Sequence, residues 1–230
     1  MKATQLTWLK PVVLSLAIAS VAAVGGGANL VAAGAVVAEG ASAVSNATQV
    51  PPMTPTKVNV AEIHSVLAHP VFSHRYACIE HGADSFQWDL GDALGTDCFI
   101  EELLEVDGRT WPRAYKGSGK ENDNWYGWHQ DVLSPCTCQV TDIIVNHVTN
   151  RPGVMAMDQA SKLTLKRADD VIFVVVHFDN PRVKVGDALV EGQVIAQVGN
   201  NGRSHHPHIH VGAYKDTEPL QIRFDQHYIQ

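Results

Sequence analysis

The stretch that decides the fold is Val185-Gly186-Asp187-Ala188-Leu189-Val190-Glu191-Gly192-Gln193-Val194-Ile195-Ala196-Gln197-Val198-Gly199-Asn200, continued by Asn201-Gly202-Arg203-Ser204-His205-His206-Pro207-His208-Ile209-His210-Val211. Its first part reads as short strands punctuated by Gly-Asp and Glu-Gly turns. Its second part sets a His-x-His pair on the next strand. Residues two apart on a strand point to one face, so His208 and His210 can serve a single metal ion or substrate. Pro207 fixes the approach and restricts His206 to an extended form.

Outward from that stretch the same texture continues. Val132-Leu133, Gln139 to Val148, Lys162 to Lys166, Val171 to Phe178, Ala188 to Val190, Val194 to Val198 and His208 to Tyr214 are short and β-branched, separated by Gly, Pro, Asn and Asp. Ser85 to Leu90 alternates and reads as a further strand. Val58 to His69 suits a short helix or an irregular lead-in, closed by Pro70. Gly91 to Asn124 reads as a long polar insertion between strands. Nothing after Val71 carries a helical apolar period, so the body is expected to be all-β, an antiparallel sandwich or barrel with irregular insertions.

The chain has 230 residues and a net charge of −7. It carries no basic run, which argues against nucleic acid as partner. Lys2 and Lys10 precede an apolar run reaching Val37, and Ala41-Ser42-Ala43 offers a small-x-small cleavage site, so residues 1–43 read as an export signal. A retained membrane anchor is the rival, but Gly25-Gly26-Gly27 and Asn29 make a poor spanning helix. Either way the remainder is expected to work outside the cytoplasm. Residues 44–57 read as a flexible linker, and 58–230 as one domain with a core of its own. The four cysteines, Cys78, Cys98, Cys136 and Cys138, are expected to form disulfides in that compartment, with three pairings open. A Cys-x-Cys without a matching second pair is a weak zinc signature.

Two further residues stand at the ends of apolar strands. His177 ends the run Val171 to Val176, and Asp89 follows Phe86 and Trp88. A satisfied core histidine and a turn-capping carboxylate are the ordinary explanations for each. Together with His208 and His210 they form a candidate constellation.

The stretch from Val183 to His210 resembles the hallmark block of the lysostaphin-type zinc metallopeptidases, peptidoglycan endopeptidases built on a duplicated hybrid β motif. Val176-His177-Phe178 resembles the family's Ala-His-Leu, and Val132-Leu133-Ser134-Pro135 its apolar-Ala-Pro turn. Asn122 to Trp128 resembles a sub-branch with a polar insertion, and Glu218 to Phe224 the Pro-x-x-Phe ending. The resemblance covers roughly Gln87 to Phe224.

It implies His210 as a zinc ligand, His177 and His208 as the catalytic pair, and Asp89 as second ligand, with Asp131 competing. In the family's His-x-x-x-Asp motif the first position falls here on Ser85. The third metal ligand is therefore expected from His81, with His129 as rival. Trp125, Tyr126, Asn201, Ser204 and His206 are expected to line the substrate cleft. The implied cofactor is Zn²⁺, and the implied partner a peptidoglycan peptide or another cell-envelope polymer or protein. The membrane enters only if the N-terminal segment is retained. With too few ligands the chain would instead be a silent envelope binding module. The hairpin Gly186-Asp187 to Gln193 also resembles that of biotinyl and lipoyl carriers, but no lysine is presented at a Met-Lys-Met-like turn.

Overall fold

In the computed structural model the described residues are 45–46, 58, 62–82 and 89–228. The chain separates into Met1–Gly40 and Ala41–Gln230. Residues 1–43, read above as an export signal, lie outside the described residues.

Alternating burial builds the elements. β1 (Ser45–Asn46), β2 (Ser65–Ala68), β3 (Tyr76–Glu80) and β4 (Thr96–Ile100) come first. A ribbon follows, β5 (Glu102–Val106) with β6 (Arg109–Arg113), then β7 (Asp131–Leu133), β8 (Cys138–Val145), β9 (Lys162–Arg167) and β10 (Ile172–Val176). The chain closes with β11 (Phe178–Asp179), β12 (Ala188–Leu189), β13 (Val194–Val198), β14 (Ile209–Lys215) and β15 (Glu218–Phe224). Among the described residues the main sheet runs β1-β8-β9-β10-β14-β15-β2, with β12 on β8 and with β4 joining β14 to β3. A second sheet orders β11-β13-β7. Phe173, Val175, Leu163 and Leu165 of the main sheet meet Phe178, Val198, Ile195 and Val132 of the second in one core. Each such side chain taken fully from water contributes about 1.5–3 kcal/mol. The all-β expectation holds.

Several details depart from the sequence reading. Val58 to His69 contains a strand, not a helix: Val66 and Ala68 are buried while Ser65 and Leu67 are exposed, a period of two, and β2 pairs parallel with β15. The strand expected over Ser85 to Leu90 falls mostly on residues 83–88, outside the described residues, while Asp89 and Leu90 sit in a bend and a turn. The insertion Gly91 to Asn124 is not strandless, since it supplies β4, β5 and β6. The run Val171 to Phe178 is not one strand. His177 takes a left-handed backbone (φ 69°), which moves the chain from the main sheet to the second one. The disulfides are Cys78–Cys98 and Cys136–Cys138. The first joins directly paired positions of β3 and β4.

Candidate metal and catalytic site

Strand register assembles the site. On β14, Ile209, Val211 and Ala213 turn into the core, so His208 and His210 share the opposite face. His210 lies directly across from Asp97 of β4 and from Val176 of β10. Asp97 in turn lies across from Ile79 of β3, which places His81, two residues on, over the same face. His81 is held there by its N–H, which donates to the Gly95 carbonyl (2.9 Å). His177 follows Val176 and packs against His208, ring centroids 4.8 Å apart. The loop from Asp89 to Gly95 lies over the sheet above Gly212, where a Cβ would stand 1.6 Å from the Gly91 oxygen. Only glycine permits that approach.

The result is a cleft of about 680 Å³ whose wall includes His81, Asp97, His177, His208 and His210. Each histidine spends one ring nitrogen on a backbone carbonyl. His81 Nδ1 donates to Asp92 O (3.0 Å), His210 Nε2 to Gly91 O (3.0 Å), His208 Nδ1 to His206 O (2.8 Å) and His177 Nδ1 to Asn201 O (2.9 Å). A carbonyl accepts and cannot donate, so these contacts set the tautomers and leave the other nitrogen free.

Three of the free nitrogens converge on one atom. Asp97 Oδ1 lies 3.0 Å from His210 Nδ1, 3.4 Å from His81 Nε2 and 3.5 Å from His208 Nε2. Burial opposes charge on Asp97, but hydrogen bonds from His208, His210 and His81 outweigh it and hold the carboxyl far below its usual range. Hydrogen bonds to Asp92 and then Asp97 push His81 up to about 10. His210 is raised as well: its burial works the other way, but the bond to Asp97 prevails. Asp92 stands on the far side of the same pair, its Oδ1 3.2 Å from His81 Nδ1 and 3.9 Å from His210 Nε2. His81, Asp92 and His210 bring donor atoms within 4.8 Å of one another.

Of these two carboxylates, Asp97 faces the nitrogens not committed to carbonyls and Asp92 faces the nitrogens that donate to carbonyls. Two imidazoles and one carboxylate, each imidazole braced through its second nitrogen by a carbonyl, are the donor set and support a catalytic zinc uses. Nitrogen and oxygen atoms crowd this closely only around positive charge, which protons supply here and a divalent cation would supply equally. The residues fit zinc.

His177 is different. Burial, with His208 close by, pushes it down to about 3, so it is neutral at physiological pH with a free lone pair on Nε2. His206 is pushed down to about 4 by burial and then by His208. It stacks on Trp125 (4.5 Å) and meets Phe99 edge-on (5.1 Å).

The structure places the expected site residues unevenly. It brings His81, His177, His208 and His210 together. Asp89 lines the cleft but is turned to Lys162 (3.6 Å) and accepts the Asp92 N–H, so Asp92 and Asp97 stand at the histidines in its place. The reason is the loop: Asp89 sits in its first bend, not on a strand facing His210. Asp131 pairs with Arg182 (3.0 Å). His129 faces Asp179 (3.5 Å) and is absent from the cleft wall. His206 lines the cleft, with Trp125 behind it, whereas Tyr126 packs against the core. Asn201 and Ser204 are buried and do not line it; they brace His177 and His208 instead. Asp97, Asp92 and Phe99 escaped the sequence reading. The signal for Asp97 and Phe99 was the run Thr96-Asp97-Cys98-Phe99-Ile100, apolar or small at alternate positions, hidden inside what read as a polar insertion; Asp92, in the loop before it, gave none.

Residues 145–222 match the model described as Peptidase family M23. Among curated proteins none matches the chain. Solved structures similar to it include the catalytic domain of the antimicrobial peptidase lysostaphin from Staphylococcus simulans, at 20% identity and TM-score 0.32, covering 46% of this chain and 87% of that one. A peptidase M23 from Pseudomonas aeruginosa is 18% identical with TM-score 0.33, covering 44% of this chain and 39% of that one. A zinc-containing peptidase from Vibrio cholerae is 17% identical with TM-score 0.31, covering 55% and 48%. The chain therefore spans less than half the length of the Pseudomonas and Vibrio proteins.

Proposed function

We propose that this chain, whose residues 145–222 match the model of Peptidase family M23, is a lysostaphin-type, exported zinc metalloendopeptidase that hydrolyses peptide bonds of the cell wall. The observation that carries this reading is the convergence of His81 Nε2, His210 Nδ1 and Asp97 Oδ1 beside a neutral histidine.

His81, Asp97 and His210 would hold the metal. Zinc bound there would supply a Lewis acid and lower the pKa of a bound water toward about 7. The remaining chemistry falls to the chain. His177 Nε2, unprotonated and fixed by its Nδ1–H, is the group that accepts a proton in the cleft. His208 stands beside it with Nδ1–H tied to His206 O; with its second nitrogen protonated as well, it would present Nε2–H to the oxyanion of a tetrahedral carbon. The two rings, 4.8 Å apart, face different surroundings, apolar burial for His177 and the Asp97 carboxylate for His208, and so take different roles. Phe99 and His206, in edge-on contact, offer a surface against which an extended peptide can lie, and Lys162 and Arg203 also line the cleft.

The reading is supported by the family match, by the donor set and by the apolar N-terminal run with its small-x-small site. No helix among the described residues is long and apolar enough to cross a membrane. The test is zinc stoichiometry and hydrolysis of purified peptidoglycan with the full chain after expression for export. Near-stoichiometric zinc and released peptide ends, both lost in His210→Ala, support it. Zinc-loaded protein that leaves peptidoglycan intact, or protein that takes up no zinc, defeats it.

A further inference from the structure

His177 is held in a conformation that non-glycine residues rarely adopt, φ 69°, and such a residue persists only where its surroundings fix it. One side chain gathers those surroundings. The Asn201 carboxamide donates from Nδ2 to the Phe178 carbonyl (2.9 Å), the residue after His177. Its Oδ1 accepts the Ser161 N–H (2.7 Å), and the Ser161 carbonyl accepts the N–H of His177 (2.9 Å). The Asn201 backbone carbonyl accepts His177 Nδ1–H (2.9 Å). Nδ2 also lies 3.3 Å from Asp179 Oδ1. Asn201 has no exposed surface, so none of these partners can be replaced by solvent without opening the core.

We propose that Asn201 is the positioning residue of the proton-accepting histidine: its carboxamide locks the left-handed turn at His177, and its carbonyl fixes the tautomer that leaves Nε2 bare. The side chain clamps the carbonyl of the residue after His177 and, through Ser161, the peptide before it. The main chain then holds the ring. Asn201 touches neither the metal donors nor the cleft, and acts only through His177.

Two measurements on the full chain test this. The first is ¹⁵N NMR of the histidine rings at neutral pH, which needs neither substrate nor metal. The wild type is expected to show His177 protonated at Nδ1 and bare at Nε2, and Asn201→Ala to mix the two tautomers. The second is kinetic and rests on the peptidase reading. Asn201→Ala is expected to lower kcat about 10²-fold, the scale of a small misplacement, with KM changed less than about threefold and zinc content unchanged. In a His177→Ala background the same change should cost nothing further. Should Asn201→Ala fail to fold, Asn201→Asp retains an oxygen for Ser161 N–H but removes the donor to Phe178, and is expected to mix the tautomers likewise. A wild-type His177 protonated at Nε2, variants that keep the wild-type tautomer, or a kinetic loss that adds to that of His177→Ala would each overturn the proposal. A correct tautomer response in a protein without peptidase activity would uphold Asn201 and defeat the peptidase reading alone.

Discussion

His81 and His210 lie with ring centroids 4.9 Å apart, and each turns its free nitrogen to the same oxygen of Asp97, at 3.4 and 3.0 Å. Their second nitrogens meet carbonyls of one loop, those of Asp92 and Gly91. The loop therefore orients both rings, and the cross-strand pairing of His210 with Asp97 supplies the carboxylate.

This geometry ranks the two nearby carboxylates. Asp97→Asn is expected to weaken zinc binding more than 10²-fold, because it removes a donor. Asp92→Asn is expected to weaken it about 10–100-fold, the usual cost of losing a supporting partner. Chelator competition measures both. Equal losses, or a larger loss from Asp92→Asn, would place the metal on the Asp92 side of the histidine pair.

Gly95 makes room for the His210 ring, since a Cβ there would stand 2.4 Å from Cε1 and 2.8 Å from Nε2. Gly95→Ala must displace the imidazole or the loop. Zinc affinity and peptide hydrolysis should fall together while the melting temperature changes little, because the crowding lies at the cleft and not in the core. Wild-type zinc affinity in that variant would mean that the ring position is not what the site depends on.

The Cys78–Cys98 disulfide links β3, which leads directly into His81, to β4, which carries Asp97, across 20 residues of sequence. The Cys78→Ser, Cys98→Ser double variant is expected to lose roughly 3 kcal/mol in urea unfolding, from the chain entropy returned to the unfolded state. It should also bind zinc more weakly, since β3 is then freer to carry His81 away from Asp97. Zinc affinity equal to wild type would separate the disulfide from the site.

Burial depresses His177 from 6.5 to about 3 in the folded protein. Between those values the unfolded chain binds the proton and the folded one does not, so stability falls as pH drops from about 6.5 toward about 3. In chelator-treated protein, His177→Gln should remove this component. Between pH 7 and 4.5 the wild type is expected to lose up to about 2–3 kcal/mol more than the variant. Parallel pH curves would show that His177 is not a buried neutral group.

Legibility in the sequence followed the length of regular pattern. Ile209, Val211 and Ala213 alternate with His208, His210 and Gly212, so the shared face of the histidines was readable before any coordinates. The all-β body was readable for the same reason. The carboxylates were not. Asp97 owes its place to the pairing of β4 with β14, a contact between segments far apart in sequence, and a strand of five residues inside a glycine-rich stretch gives little periodic signal. Asp89 was preferred to Asp131 because Phe86 to Leu90 resembles the inserted sub-branch, yet its loop turns it toward Lys162. Asn201 and Ser204, in the stretch just before the histidine pair, were expected to line the cleft. In the fold they are buried, and their bonds are spent on His177 and His208.

The account rests on zinc held by His81, Asp97 and His210, and an anomalous-scattering map from crystals of zinc-loaded protein, collected at the zinc edge, tests it most directly. The predicted result is one strong peak within bonding distance of His81 Nε2, His210 Nδ1 and an Asp97 oxygen. A peak beside Asp92 or between His129 and Asp179, or no peak in zinc-saturated crystals, would contradict it.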